Sequence, residues 1–415
     1  MRAQGHSVRS GCGVALLLFL AGCAGAPPPE RVSPLPVLPG IEVLLRDSLH
    51  LVRDLRVGLV SNAAGVDAAG TSDVERLMGA SVGLSAIFSP EHGFRGTAAP
   101  GEAVASSTDS ATGLPIYSLY GVRRAPSDSI LRNLDAILVD LPDVGARYYT
   151  YLSTTIEVMR AAARSGRTVI ILDRPNPIGG AVQGNLLDSA YRSFVGPLAM
   201  PMRHGLTLGE LARLANRELG LGADLRVVPA QGWTRAMTLG ETGLPFIPPS
   251  PNLKDPESLF HYPGVCLFEG TALSVGRGTD APFRQIGAPW LMASRVAELA
   301  GNAGLPGVRF EPVRFTPSDP GDGKYPGLEI AGIRLVMTDQ RSYDPAAAAV
   351  TLLAAVYQVH PDSIGFRAAG FDRLAGGPAL REAIVSGRSG LEISRDWVEA
   401  RERWKRYRES VLLYR

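Results

Sequence analysis

The sequence predicts an α/β protein, with a Rossmann-like parallel sheet domain followed by a smaller C-terminal α/β domain. Short apolar runs alternate with helical patterns through the first half of the chain, which is the order expected of a parallel sheet crossed by helices. The runs contain almost no polar residues, and this indicates strands covered by helices on both faces. About 375 residues remain once the N-terminal leader is set aside, more than one core usually sustains, so two domains are expected.

The first domain is predicted over residues 41–230. Its strands are four apolar runs, each closed by polar or turn-forming residues: 57–60, 82–88, 136–139 and 168–172. Helices are expected at 73–79, at about 151–165 and at 208–219. The third of these has the clearest start, because Thr207 and Glu210 stand in the spacing of a capping box.

The second domain is predicted over residues 231–415. Its first part, residues 233–290, is rich in Gly, Pro and aromatic residues and is predicted to form loops that line a surface. Regular elements are expected after these loops. They are a helix at about 290–299, a strand at 330–337, a helix at 345–359, and helices after Gly377 and from Ser394 onward.

The N-terminal residues have the pattern of an export signal that ends in a lipobox. An apolar run at 14–20 leads into Leu20-Ala21-Gly22-Cys23, and it is too short to span a bilayer. Residues 1–22 are therefore predicted to be a signal peptide, Cys23 the lipidated residue, and the Pro- and Ala-rich stretch 23–40 a tether. We expect an exported protein, anchored by lipid to a membrane of the cell envelope at the periplasmic face or outer membrane. The alternative is a plain secretory signal with an incidental cysteine.

Composition and absent motifs exclude several function classes. The chain has 42 basic and 40 acidic residues, a net charge of +2, which does not favour nucleic-acid binding. Cys266 is the one cysteine beyond the leader, so no disulfide framework is possible and a buried apolar role is expected for it. The glycine-rich dinucleotide fingerprint, the phosphate-binding loop, the serine nucleophile elbow and the His-Glu-x-x-His zinc motif are all missing from the sequence.

Polar clusters follow three of the predicted strands. Glu91 and His92 follow the second strand, Asp140 and Asp143 the third, and Asp173 the fourth. Because the carboxyl ends of parallel strands meet at one edge of a sheet, we expect these side chains to line one cleft. Paired carboxylates in a cleft are what glycosidic cleavage requires. Asp140 and Asp173 could equally cap helices or accept from backbone amides.

Longer strings around these clusters resemble the NamZ family of exo-β-N-acetylmuramidases, formerly known as YbbC-like proteins. The strings are 88–95, 140–151, 172–178, 196–198, 203–211, 249–252, 262–264, 268–271, 276–283, 371–376 and 412–414. They extend over nearly the whole mature chain. The resemblance implies a cofactor-free hydrolase that releases N-acetylmuramic acid from the non-reducing ends of peptidoglycan fragments.

Combined with the resemblance, the clusters give each candidate residue an expected role. Glu91 is the expected general acid/base, and Asp140, Asp143, Asp173 and Glu269 are the candidates for the second carboxylate. The remaining candidates would bind substrate. Arg147, Arg174 and Arg277 suit the lactyl carboxylate, because a guanidinium binds a carboxylate through two parallel hydrogen bonds. His92, Asn176, His204 and Asn252 suit the acetamido and hydroxyl groups, Tyr149 suits stacking on the sugar ring, and Arg95 is a further substrate-binding candidate.

Two other functions fit the same residues. A muropeptide-binding lipoprotein would keep the cleft and bind the saccharide without turnover. A metal-dependent hydrolase would use His92, His204 and the acidic loops, and lasting loss of activity with a chelator, restored by a divalent ion, would identify it. The sequence has no close cluster of metal ligands, so no metal is expected. The stereochemical course of hydrolysis depends on the separation of the carboxylates, which a sequence leaves open.

Overall fold

A computed structural model of the chain describes residues 7, 11, 36–99 and 101–415. The predicted signal peptide, Cys23 and most of the predicted tether lie outside the described residues. Residues 36–415 form one compact unit. Val37 is buried and Leu38 pairs with Gln231, so this unit starts at Pro36, inside the range predicted as tether. No helix in the described part of the chain is long and apolar enough to cross a membrane.

The main sheet has seven strands, and the four strands predicted from apolar runs are among them. In chain order the strands are β1 Arg56–Ser61, β2 Gly83–Ser89, β3 Ser107–Thr108, β4 Pro115–Ser118, β5 Ala136–Asp140, β6 Thr168–Leu172 and, further along the chain, β9 Leu225–Val228. Their order across the sheet is β3-β4-β2-β1-β5-β6-β9, and every neighbouring pair is parallel except β3 with β4. The parallel strands therefore have the doubly wound order of a Rossmann-like sheet, with the direction of winding reversing between β1 and β5.

Helices cover both faces of this sheet. Along β1, Val57 and Leu59 pack into one apolar core while Val60 packs into another, and the neighbouring parallel strands alternate in the same way. The helices of the chain are α1 Gly40–Asp47, α2 Asp73–Gly79, α3 Asp128–Leu131, α4 Tyr151–Ser165, α5 Leu208–Glu218, α6 Leu239–Thr242, α7 Pro256–Val265, α8 Ala293–Gly301, α9 Pro345–Val359, α10 Ala368–Ala375, α11 Ala379–Val385, α12 Gly390–Asp396 and α13 Val398–Arg408. Helix α5 begins with the predicted capping box of Thr207 and Glu210.

Two smaller sheets complete the structure. Strands β7 Gln183–Leu186 and β8 Pro201–Arg203 form an antiparallel pair. An antiparallel sheet of order β10-β12-β11 follows, built from β10 Gln285–Ala288, β11 Val308–Phe315 and β12 Ile330–Met337. This second sheet and its helices give the smaller α/β part that the sequence predicts, while the domain boundary near residue 230 stays a prediction.

The prediction of loops throughout residues 233–290 was wrong. Helix α7 lies in this region, and its start is marked by Asp255, whose carboxylate accepts from the Ser258 N–H, followed by Pro256 in the first turn. Asp-Pro is a helix-start signal. The high content of glycine and aromatic residues obscured it, because Pro263 also lies inside the helix and interrupts the apolar period.

Candidate active site

Glu91 stands in the loop that follows β2, at the carboxyl edge of the main sheet. Its side chain is buried, with 8% of the residue exposed. Oε1 accepts a hydrogen bond of 3.0 Å from the Gly101 N–H, and Oε2 accepts one of 2.7 Å from the Thr150 hydroxyl. Thr150 immediately precedes α4, so two loops of the sheet edge hold the carboxylate in one orientation.

His92 adopts a backbone conformation that is uncommon for a residue with a side chain. Its φ is 71°, in the left-handed region, and the imidazole Nδ1 lies 2.9 Å from the Ala98 carbonyl oxygen. Burial lowers the pKa of His92, which favours the neutral ring. Because a carbonyl only accepts, the ring proton is on Nδ1, and Nε2 is left as an acceptor. Strained backbone of this kind is concentrated at functional sites.

Glu269 and Arg277 form an ion pair on two segments that follow α7. Glu269 lies in the 3₁₀ turn Cys266–Gly270, and its Oε1 accepts from Arg277 Nε at 2.8 Å and Nη2 at 2.5 Å. Glu269 Oε2 has a longer contact of 3.7 Å with the Cys266 thiol. Arg277 is 9% exposed, and its Nη1 has no hydrogen-bond partner among the described residues. The pair thus keeps one donor and one carboxylate oxygen available.

The residues described above line one cavity of about 150 Å³. Of the residues predicted from sequence, Glu91, His92, Tyr149, Glu269 and Arg277 line it together. Tyr149 is fixed by its neighbours: its hydroxyl donates to the Pro249 carbonyl at 3.0 Å, and its ring meets two other tyrosine rings edge-on. The other residues that line the cavity are Tyr148, Thr150, Val195, Ser250, Leu253, Tyr262, Cys266, Phe283 and Leu374.

Asp140 and Arg174 are paired with each other in a separate cluster. Arg174 donates through Nε and Nη2 to both carboxylate oxygens of Asp140, and through Nη2 to the Val66 carbonyl at 2.6 Å. Asp73 lies 3.6 Å from the same guanidinium and accepts from the Ser61 hydroxyl at 3.0 Å. Burial raises the pKa of Asp73 and Asp140. Asp140 is thus an ion-pair partner inside the fold and does not line the cavity of Glu91.

Asp173 is likewise surrounded by donors from its own chain. Its carboxylate accepts from the Thr207 hydroxyl at 2.6 Å, the Gly209 N–H at 2.8 Å and the Tyr414 hydroxyl at 2.7 Å. Burial raises the pKa of Asp173 to about 6 against these stabilising bonds. The carboxyl joins the end of β6 to the start of α5, which is the capping role that the sequence analysis kept as an alternative.

The remaining predicted residues also lie outside the cavity lining. Arg147 is fully buried and donates to three carbonyls, those of Asn185, Met200 and Leu374. Asn176 donates to the Leu206 carbonyl and accepts from the Ile178 N–H. These bonds hold loops of the fold together.

Asp143 and His204 face each other, with Oδ1 and Nε2 3.3 Å apart. Asp143 lines a smaller cavity of about 70 Å³ together with Arg174, and Arg95 is exposed on the lining of another groove. Asn252 is half-buried between Ser250 and Leu253, which line the Glu91 cavity. Within the described ranges, no three His, Cys, Asp or Glu side chains are grouped so that they could hold a metal ion.

Two glutamates, an arginine and aromatic rings in one cavity of a Rossmann-like protein are the groups expected of a glycoside hydrolase that acts on an acidic sugar. The comparisons agree with this class. Residues 57–257 match the family model described as the N-terminal part of exo-β-N-acetylmuramidase NamZ, and residues 260–414 match its C-terminal part. The chain belongs to the NamZ family of exo-β-N-acetylmuramidases.

Individual relatives are similar along most of their length. The peptidoglycan β-N-acetylmuramidase NamZ of Bacillus subtilis (strain 168) is 39% identical over 378 residues, 90% of this chain and 91% of the relative. Two crystal structures of DUF1343 family proteins from Bacteroides fragilis NCTC 9343 share the fold. One has a TM-score of 0.83 at 35% identity and the other 0.74 at 34%, and each alignment covers 91% of this chain and 99% of the other.

Proposed function

We propose that this chain hydrolyses the β-glycosidic bond of a terminal N-acetylmuramic acid at the non-reducing end of peptidoglycan fragments. Membership of the NamZ family supports the reaction. The choice of catalytic and binding residues is supported by the cavity that Glu91, Glu269 and Arg277 all line. Arg277 Nη1 is buried without a hydrogen-bond partner among the described residues. A donor without a partner in a buried site is a place for a ligand acceptor.

Glu91 is the general acid/base in this proposal. The Gly101 N–H can only donate, so Oε1 remains an acceptor and the proton that Glu91 transfers is carried on Oε2. The Thr150 hydroxyl beside Oε2 can donate or accept, so it tolerates both protonation states of the acid. The proton passes to the bridging oxygen as the bond to the sugar breaks.

Glu269 is the second carboxylate. Its Oε1 is engaged by two donors of Arg277, whereas Oε2 has only the long thiol contact. Oε2 is therefore the atom that stabilises the positive charge developing on the sugar ring, either directly or through a water molecule. Of the other candidates, Asp140 and Asp173 have their oxygens occupied by donors of the fold, and Asp143 lines a different cavity.

Arg277 selects the acidic sugar. Muramic acid differs from glucosamine by a lactyl group that ends in a carboxylate, and a guanidinium recognises a carboxylate with charge-assisted hydrogen bonds. Nη1 is the donor left for this contact. The cavity then binds its ligand through one arginine that is already oriented by Glu269, which reduces the entropy lost on binding.

The experiment is turnover of a chromogenic β-N-acetylmuramide by the soluble body, comparing wild type with Glu91→Gln. Loss of a general acid typically costs about 100- to 10,000-fold in kcat, and Glu91→Gln is expected in that range with folding retained. Glu102→Gln is the control, since Glu102 is an exposed glutamate of the same loop that accepts from Ala99 N–H at 2.8 Å. Binding of the saccharide by wild type without any turnover would instead identify a muropeptide-binding protein.

We further propose that the protein is exported and held at a membrane by a lipid on Cys23. The lipobox and the short apolar run before it support this, as set out from the sequence. Expression of the full chain and of Cys23→Ser, followed by cell fractionation and mass spectrometry of the N-terminal peptide, tests it. Wild type should sediment with membranes and carry acyl chains. Equal release of both proteins into the soluble fraction would rule out the anchor.

A further inference from the structure

The loop between β11 and β12, residues 316–329, leaves its own sheet and reaches the segment that carries Glu269. Lys324 is the residue that makes this contact. Its Nζ donates to the Leu273 carbonyl at 2.7 Å and lies 3.4 Å from each of the Phe268 and Glu269 carbonyls. Tyr325 adds a hydrogen bond of 2.9 Å from its hydroxyl to the Ala272 carbonyl. The loop is thereby joined to the whole turn from residue 268 to 273.

The same loop also contacts the turn that carries Arg277. Both the N–H and the hydroxyl of Ser318 donate to the Gly278 carbonyl at 2.9 Å. Gly278 has a φ of 76°, and a Cβ there would lie 2.8 Å from the Pro320 nitrogen. No larger residue fits between the two turns, so the loop packs directly against the residue next to Arg277. One loop therefore braces both halves of the Glu269–Arg277 pair.

The Lys324 ammonium is surrounded by three backbone carbonyl oxygens. At the end of the 3₁₀ turn Cys266–Gly270, the Phe268 carbonyl also accepts from the Thr271 N–H at 3.0 Å and from its hydroxyl at 2.8 Å, and a cation at the C-terminal end of a helical turn is favourable. Arg367 contributes a second cationic donor to the Glu269 carbonyl. Within the part of the chain that the structure describes, no carboxylate lies within ion-pair distance of Lys324. Its three acceptors are all backbone groups of the Glu269 segment.

We propose that Lys324 is a positioning residue for the reaction, holding the Glu269–Arg277 pair in place through the β11–β12 loop. The inference rests on the proposed function, because it assigns a task to a residue that touches the carboxylate's backbone and not the substrate. Without the lysine, the Leu273 carbonyl loses its 2.7 Å donor and the Phe268 and Glu269 carbonyls lose a nearby cation, so the loop holds Glu269 and Arg277 less firmly. The pair would then form less often in the geometry that binds the sugar.

The support that Lys324 gives to the Glu269–Arg277 pair should weaken at high pH, because the ammonium group can lose a proton. Burial lowers the pKa of Lys324 to about 8. The charged groups that face it are Asp322 on its own loop, Glu269 and Arg277 on the braced turns, and Arg367 ahead of α10. As pH rises through about 8, the ammonium loses its charge and one of its three N–H donors. Turnover should therefore decline on the alkaline side, where the carbonyls lose their cation.

The test is the pH profile of kcat for wild type, Lys324→Met and Lys324→Arg on the chromogenic muramide. Wild type should show an alkaline decline centred near pH 8. Lys324→Met should have kcat lowered about tenfold or more, the scale of a lost hydrogen bond to a charged group, and should lack that decline. Lys324→Arg should restore most of kcat and keep activity flat up to about pH 10, because a guanidinium stays charged. KM should also rise in Lys324→Met, because Arg277 loses the same support, and should stay close to wild type in Lys324→Arg.

Lys405→Met is the control, since Lys405 is an exposed lysine of α13 whose Nζ donates to the Glu402 carboxylate at 2.7 Å. It should keep both kcat and the alkaline decline. An alkaline decline at the same pH in Lys324→Arg as in wild type overturns the inference, even if Lys324→Met fails to fold. Absence of turnover in wild type overturns the proposed function instead, so the two failures are distinguishable.

Discussion

Two groups of buried polar residues lie near the carboxyl edge of the main sheet, and they differ in what they bind. We call Asp73, Asp140, Asp173 and Arg174 the strand-edge cluster. Its acids accept from arginine, hydroxyl and amide donors of the chain. The exception is Asp73 Oδ1, which has no hydrogen-bond partner among the described residues and lies 3.6 Å from the Arg174 guanidinium. In the Glu91 cavity, by contrast, Arg277 Nη1 has no partner among the described residues and Glu269 Oε2 has only a long one.

This difference separates polar residues that stabilise the fold from those that await a ligand. A buried charge is costly unless it is paired, and in the strand-edge cluster Arg174 and the hydroxyl and amide donors offset part of the cost of burying the three acids. A buried donor left unpaired costs free energy in the empty protein and gains a partner when a ligand binds. Burial alone does not distinguish the two, because Glu91 and Arg277 are buried like the acids of the strand-edge cluster, and only Glu269 is partly exposed.

The largest expected effect is on stability, from Arg174→Met. The substitution leaves Asp140 and Asp73 without their cation, and removing one partner of a buried pair costs about 3–5 kcal/mol of unfolding free energy. Turnover per folded molecule should stay close to that of wild type. Urea unfolding and activity at low temperature measure the two quantities. Arg164→Met, an exposed arginine at the end of α4, is the control. A raised KM with unchanged stability would place Arg174 at the substrate after all.

The second effect is the pH dependence of stability that Asp173 confers. Its pKa is raised from 3.8 to about 6 by burial. Between these two pKa values, the carboxyl is therefore protonated in the folded state and ionised in the unfolded state. This stabilisation is fully present below about pH 4 and is lost as pH rises through 6, a difference of about 3 kcal/mol.

Asp173→Asn removes this titration. Between pH 4 and pH 7, the unfolding free energy of wild type should fall by about 3 kcal/mol relative to that of the variant. Urea denaturation at both pH values measures it, with Asp362→Asn, an exposed aspartate, as the control. Parallel curves for wild type and Asp173→Asn would show that burial does not perturb this carboxyl.

A third effect concerns substrate choice, through Arg277→Lys. Lysine keeps the charge but lacks the fork that binds Glu269 and a ligand carboxylate together. The preference for an N-acetylmuramide over the matching N-acetylglucosaminide, measured as a ratio of kcat/KM, should drop by about 10- to 100-fold, the value of a charge-assisted hydrogen bond. Arg284→Lys, which alters a pair with Glu257, should leave the ratio unchanged. An unaltered ratio in Arg277→Lys would exclude Arg277 from recognition of the lactyl group.

The smallest effect is expected from Thr150→Val. It removes the hydroxyl that donates to Glu91 Oε2 at 2.7 Å, which frees the carboxylate to turn away from the cavity. The expected loss in kcat is about tenfold. Thr154→Val lies one turn further along α4, where Oγ1 has no described partner, and it should not change kcat. Equal activity of the two variants would mean that Thr150 does not orient Glu91.

The sheet could be predicted from sequence because its signals are local. Apolar runs such as 168–172 are strands covered on both faces, and the Thr207–Glu210 capping box starts α5.

Among the candidate site residues, Glu91 could be proposed from sequence because no capping pattern explains it. Asp140 and Asp173 look much like it in sequence, and only their donors, some of them more than 30 residues away, identify them as ion-pair or capping residues. Glu269 and Arg277 came from the family resemblance alone, and Lys324 carries no sequence signal because its acceptors are carbonyls 51 to 56 residues away.

The carboxyl group at the end of β6 takes its donors from 34, 36 and 241 positions further along the chain. The ribosome therefore makes the sheet long before it makes Tyr414, and until that tyrosine arrives the corner between β6 and α5 is missing a hydrogen bond. For the same reason, shortened versions prepared for crystallisation or assay should retain the tyrosine, whatever is trimmed from the opposite terminus.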